Sequence, residues 1–287
     1  MARRISDRSA GARRMRTQQR GMLRLLIRDV RARMRTLNTS RPSSAQPWID
    51  DVTAIVDRYA QVAAELAARA YEAERDEAGI RSPFRPDLAD GPPAEQVEAS
   101  LRWAAHDVWA PPRAPSELPA GQRRAFSADL AERLLARAGE RAEVVTGRLV
   151  LDTARRTIVE TVEQDPDARG WYRSAAPDAC SFCRLMASRG AVYRSRGTAG
   201  TDANDSFEGG GLFKYHNNCA CVAMPVLRGD TFTLSPEATE WDRIYYEYAA
   251  SDPPDQLRRF RIAMRAIDEG RLPTPEDFGD RPRRRTP

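Results

Sequence analysis

Residues 121–163 read GQRRAFSADLAERLLARAGERAEVVTGRLVLDTARRTIVETVE, a stretch without a single proline. Phe126, Leu130, Leu134, Val145, Leu149 and Val162 recur through it at helical spacing. That period predicts one long helix or a pair of helices. Gly139 and Gly147 are the points where it could be interrupted, each costing about 1 kcal/mol relative to Ala. Asp165-Pro166 closes the run.

The same period extends upstream. Trp48, Val52, Ile55, Tyr59, Val62, Leu66 and Ala70 predict a long helix to about Ala78. Pro47 suits its first turn and Gly79 its end. Ser82–Pro93 holds four prolines and a glycine, which stops regular structure. Val97, Leu101, Ala104 and Val108 then mark a shorter helix, followed by a second break at Pro111, Pro112, Pro115 and Pro119. Nearer the start, Leu23, Leu26, Val30, Met34 and Leu37 form an apolar stripe, with Arg24, Arg28, Arg31 and Arg35 on the opposite face. Such a helix must bury its stripe on this chain or on a partner. Asn38–Gln46 reads as a linker. Residues 1–20 are polar and arginine-rich, and the first few are expected to lack structure.

Past Pro166 the character changes. Trp171-Tyr172-Arg173, Ala191-Val192-Tyr193 and Cys221–Val226 resemble short strands, and Arg196–Gly211 reads as a mobile loop rich in small and polar residues. Two more helices are expected around Trp241–Ala250 and Asp255–Glu269, before a basic tail at Arg281–Arg285. The fold class is therefore mainly α with a small α+β module. The expected units are a basic arm and amphipathic helix (1–46), a helical domain (47–165), a Cys/His module (166–230), and C-terminal helices with the tail (231–287).

The formal charge is +5, and almost every cation is arginine, Lys214 being the one lysine. A mild positive excess serves solubility or attracts nucleic acid, and net charge alone does not choose between them. Arg24, Arg28, Arg31 and Arg35 are the candidate phosphate contacts. No apolar run is long enough to span a bilayer. Met1-Ala2-Arg3-Arg4 lacks the pattern of a secretory signal, so synthesis and folding in a cytoplasm are expected.

All four cysteines lie between Cys180 and Cys221. Cys180-Ser181-Phe182-Cys183 is a C-x-x-C, and His216-Asn217-Asn218-Cys219-Ala220-Cys221 an H-x-x-C-x-C. Each short spacing lets one turn or strand end offer two donors to one ion, and the intervening loop brings the pairs together. A structural zinc takes four such ligands, at roughly 2.3 Å for sulfur and roughly 2.0 Å for nitrogen. Five candidates compete for four places: Cys180, Cys183 and His216, with Cys219 or Cys221. Disulfides across the two halves and plain buried thiols are the alternatives. No βαβ pattern surrounds the C-x-x-C, which argues against a thioredoxin-like redox role.

The block Ala179–Tyr193, followed by Tyr215-His216-Asn217-Asn218-Cys219-Ala220-Cys221 and Pro225-Val226, resembles the MuF-like minor head proteins of tailed bacteriophages, in the form encoded by phages of actinobacteria. The resemblance covers about residues 165–230. It implies a minor capsid component in the virion, assembled in the host cytoplasm and associated with the portal or head interior. The implied partners are the portal protein or the major capsid protein, and packaged double-stranded DNA, with no membrane and no small-molecule substrate. Similar actinobacteriophage proteins are often labelled capsid maturation proteases, and an internal nucleic-acid-binding head protein is a further alternative.

A hydrolytic relay needs a histidine beside its nucleophile. The chain has only His106 and His216, and His216 is better explained as a metal ligand. Neither G-x-S-x-G nor H-E-x-x-H occurs. The expectation is a structural protein without catalytic residues.

Overall fold

The computed structural model describes residues 3–109, 119–191, 221–251 and 255–279. Its centre is three long helices: α1 (Ala10–Met34), α2 (Ala45–Glu77) and α5 (Ala120–Gln164). α2 packs along α5, and α1 lies against both. Two shorter helices, α3 (Ala94–Ala104) and α4 (His106–Trp109), cover the flank of the bundle.

The periodic residues account for this packing. Met22, Leu26 and Val30 of α1 are buried, as are Trp48, Val52, Ile55 and Tyr59 of α2. Val97, Leu101, Ala104 and Val108 of α3 and α4 are also buried. Full burial of a Leu or Val side chain contributes about 1.5–3 kcal/mol. From its middle onward, the buried line of α2 runs through Ala63, Ala67 and Tyr71, while Val62 is exposed. The expected stripe is shifted there by one residue, onto a face rich in alanine.

α5 is one continuous helix. Its two glycines do not interrupt it; they form the seat of α1. A Cβ on Gly139 would meet Met34 Cγ at 3.7 Å, and one on Gly147 would meet Leu23 Cδ2 at 3.6 Å. Met34 therefore lies over Gly139 and Leu23 over Gly147, so α1 and α5 run antiparallel at close range. Both distances are ordinary van der Waals contact, so an alanine would also fit at either place.

The chain start corrects the sequence expectation. Residues Arg3–Ser6 form a strand, β1, and α1 begins at Ala10 instead of near Met22. Ser9 caps α1, its side chain accepting from the Ala12 N–H at 3.2 Å. The added turns bury Ala12, Met15 and Gln19, a stripe too small and polar to read as apolar. β1 pairs in parallel with β4 (Asp230–Thr233), Arg3 lying opposite Asp230 and Ser6 opposite Thr233. Arg3 forks onto the Asp230 carboxylate at 2.8 and 2.9 Å and reaches Glu74 Oε2 of α2 at 2.8 Å. Asp7, fully buried, accepts from the Ser235 N–H at 2.7 Å and its hydroxyl at 2.8 Å.

The second ribbon pairs β2 (Ala168–Ser174) with β3 (Val222–Leu227) in antiparallel register, Ser174 opposite Val222. It rests on the C-terminal half of α5. Arg228-Gly229 turns β3 into β4, with Gly229 at φ +89°, a conformation that favours glycine. Three further elements close this end: α6 (Ser181–Ser188), α7 (Pro236–Tyr248) and α8 (Gln256–Asp268). α7 starts earlier than the apolar pattern indicates, because Ser235 caps it and Pro236 occupies its first turn. Ala191 sits in a bend. The rest of the expected third strand, the loop at Arg196–Gly211, the break at Pro111, Pro112 and Pro115, and the basic tail lie outside the described residues. Among the described residues no helix is long and apolar enough to cross a membrane.

Candidate functional site

Beyond Ser174 the chain turns at Ala176–Ala179, with the Ala179 N–H donating to the Ala176 carbonyl, and delivers Cys180 to the start of α6. Cys180 is the helix cap. Its backbone is extended (φ −61°, ψ 159°) and its Sγ accepts from the Cys183 N–H at 3.4 Å. This is the role that Ser or Asp usually fills. Here it places a sulfur at the positive end of a helix. Cys180 is exposed and Cys183 buried.

α6 is held firmly from behind. Arg184 binds Asp268 of α8 at 2.8 and 3.0 Å, and its guanidinium lies 6.0 Å from the Trp241 ring centre of α7. The C-x-x-C thus begins a helix anchored to two others.

Cys221 lies immediately before β3 and is buried. Its carbonyl accepts from Arg155 Nε at 3.2 Å and Nη2 at 3.1 Å, and the same guanidinium donates to Asp152 at 2.8 Å. Arg155 is itself buried in α5, so this backbone point is fixed to the long helix. Since Ser174 faces Val222 across the ribbon, Cys221 and the stretch leading to Cys180 leave β2 and β3 from the same end. The topology brings the C-x-x-C and the last cysteine of the H-x-x-C-x-C into one region. No spacing rule signals Arg155, which stands far from Cys221 in the chain.

His216 and Cys219 lie outside the described residues. Among the described residues, no three His, Cys, Asp or Glu side chains are grouped to hold a metal. Cys180, Cys183 and Cys221 therefore do not assemble a site by themselves. Cys180 and Cys183 stand three residues apart on the capped first turn of α6, and Cys221 directly precedes β3. Asp178, the nearest described acid in sequence, is highly exposed and lies 3.6 Å from Arg20.

His106 is at the surface, its side chain 72% exposed, with Nδ1 3.4 Å from Asp107 Oδ1. Asp107 also takes Arg141 at 3.0 Å. The contact with His106 and the Arg141 charge hold the Asp107 carboxyl below its usual range. Among the described residues Asp107 is the one hydrogen-bond partner of His106.

Arg24, Arg28 and Arg31 of α1 and Arg35 at its C-cap are exposed on one face. Arg24, Arg28, Arg31 and Arg35 line a shallow groove together with Ile27 and Ala32. Arg28 pairs with Asp29 at 2.9 Å and Arg31 with Glu143 at 2.6 Å.

Neither the curated proteins nor the solved structures contain a match to this chain. The sequence pattern that defines the VG15 protein family matches residues 6–251, from the end of β1 to beyond α7. The chain belongs to the VG15 protein family, a family of viral, phage-type proteins.

Proposed function

We propose that this protein is a minor head protein of a tailed phage, held at the portal or in the head interior, where it assists head assembly, DNA packaging or ejection. The observation that carries this reading is the convergence of the C-x-x-C and Cys221 at one end of the β2–β3 ribbon, in a chain of a phage-type family. In the proposed site Cys180, Cys183 and His216, with Cys219 or Cys221, hold zinc. A zinc with four protein ligands supplies a cross-link and no open coordination position. The protein's own contribution is orientation: the α6 cap presents two sulfurs, and Arg155 fixes the strand that presents the other half.

A structural role is further supported by the setting of His106. Among the described residues this exposed histidine touches an aspartate, whereas a hydrolytic relay requires a nucleophile against the imidazole. The test is to purify virions, quantify this protein by mass spectrometry, and locate it by electron microscopy without imposed symmetry. Its presence at the portal vertex or inside the head is expected, with normally processed capsid protein in His106→Ala phage. Absence from purified particles, despite expression in infected cells, would overturn the proposal. Accumulation of uncleaved capsid precursor in His106→Ala phage would replace it with the maturation protease.

A further inference from the structure

The positive charge of this chain is concentrated in one helix. α1 contains eight arginines, from Arg13 to Arg33, and a single acid, Asp29. That is a surplus of seven charges, whereas the whole chain has +5; all the remaining residues together are slightly acidic. A general preference for arginine in the coding sequence does not produce this pattern, because elsewhere the arginines are matched by carboxylates.

The surplus is also organised in space. Arg24, Arg28, Arg31 and Arg35 are all exposed and follow one line along the helix, spanning about 16 Å at 1.5 Å per residue. Like charges at these spacings repel one another. Neither Arg24 nor Arg35 has a carboxylate partner among the described residues. Asp29, the one acid of the helix, is turned toward α2, where it accepts from the Tyr59 hydroxyl at 2.9 Å and from Arg58 at 3.3 Å. Arg31, itself exposed, pairs with the half-buried Glu143 of α5.

We infer that the outer face of α1 binds the phosphate backbone of double-stranded DNA without reading its sequence. Arginine matches phosphate with a planar fork of donors, and a helix is narrow enough to lie along a duplex groove. The groove between the arginines offers only Ile27 and Ala32, and no Asn or Gln that would read a base edge. A protein partner would require an aromatic or large aliphatic anchor at the centre of the contact; this groove offers no aromatic side chain, and Ile27 is its one large aliphatic. The inference goes beyond the proposed location in the virion and does not depend on it.

The test uses the full chain and short fluorescent duplexes of two unrelated sequences, with anisotropy followed from about 50 to 200 mM salt. Both duplexes should bind equally, and affinity should fall linearly on logarithmic axes. The variant Arg24→Gln/Arg28→Gln/Arg31→Gln/Arg35→Gln should flatten that slope by about 3–4, close to 0.9 for each phosphate no longer neutralised. Arg24→Gln/Arg35→Gln, which removes no ion pair, should flatten it by about half as much and keeps the test valid if the fourfold variant unfolds. Replacing the four arginines by lysine should preserve the slope. Arg69→Gln/Arg81→Gln, two exposed arginines of α2 and the turn after it, should leave it unchanged. Failure to bind duplex at low salt, or an equal loss in the α2 control, would overturn the inference. So would binding of poly-glutamate at least as tight as duplex at matched charge, which would assign the face to an acidic protein.

Discussion

The carboxylate of Glu74 stands directly over the backbone of Gly11: a Cβ added to that glycine would come within 1.7 Å of Glu74 Oε1. Glu74 is buried in α2, and its other oxygen holds Arg3 of β1. Burial pushes this carboxyl above its usual range, and the Arg3 charge offsets only part of that. The missing side chain at position 11 thus makes room for the group that secures the first strand.

Gly11→Ala should therefore destabilise the protein, although alanine favours helix by about 1 kcal/mol. The added methyl must displace a carboxylate that is already engaged, for an expected net loss of about 1–2 kcal/mol. Gly21 lies in the same helix, and a Cβ added there would meet nothing within 4 Å. Gly21→Ala should stabilise by up to about 1 kcal/mol. Urea denaturation of the two variants compares them directly. Equal effects of the same sign would refute the Glu74 contact.

Arg75 and Asp165 form a buried ion pair that ties the end of α2 to the end of α5. Asp165 also accepts from the Tyr71 hydroxyl at 2.9 Å and from the Asp167 N–H at 2.9 Å. Asp165→Ala leaves the Arg75 charge buried without its carboxylate and should cost about 3–5 kcal/mol. Combining it with Arg75→Met should cost less than the two single changes added together. A loss under about 1 kcal/mol for Asp165→Ala would show that water or Asp167 compensates.

Asp277 gives a pH dependence of defined sign. Hydrogen bonds from Arg271 and from the Thr274 backbone hold its carboxyl down to about 2. The unfolded chain takes up this proton near the ordinary value of 3.8. The stabilisation is thus complete above about pH 4 and is lost as pH falls through the folded value near 2. In Asp277→Asn that acid-dependent loss should disappear. NMR titration of the carboxyl carbon should give a midpoint near 2 in the native protein, and a midpoint near that of a free aspartate would disprove the contact.

Metal should be coupled to the stability of the ribbon end. Purified protein is expected to carry about one zinc per chain, since the ligand set makes a single four-coordinate site. Cys180→Ser and Cys183→Ser should each lose it by elemental analysis. A chelator should lower the melting temperature of the native chain and leave both variants unaffected, because binding free energy at such a site is folding free energy. Stoichiometric absence of free thiols, without metal, would instead establish disulfides.

The helices are legible in the sequence because their buried residues repeat every three to four positions, and Trp48, Leu101 and Leu149 need no tertiary knowledge to place. The glycines of α5 mislead for a physical reason. Gly139 and Gly147 weaken a helix considered alone, yet α5 continues through both, because its flanking residues are buried against α1 and α2. β1 leaves no signal at all, since Arg3-Arg4-Ile5-Ser6 has one apolar residue and its partner strand lies 227 positions away. At the candidate site the cysteine spacing is visible. That Cys180 caps a helix and that Arg155 clamps the Cys221 carbonyl depend on contacts between distant segments, which no local pattern encodes.

The parallel pairing of β1 with β4 sets an order for synthesis. Arg3 leaves the ribosome long before Asp230, its strand partner, has been polymerised. At about 5–20 residues per second the delay is roughly 10–45 s. Throughout that interval the first strand has no edge to join, and the α1 face behind it can dock only on whatever helices have already emerged. Any nascent chain arrested before Asp230 carries an unpaired leading segment, with Glu74 but not Asp230 available to Arg3. Completion of this fold is consequently a late event, gated by translation past residue 235, where Ser235 reaches Asp7 and locks the beginning of the polypeptide to its final third.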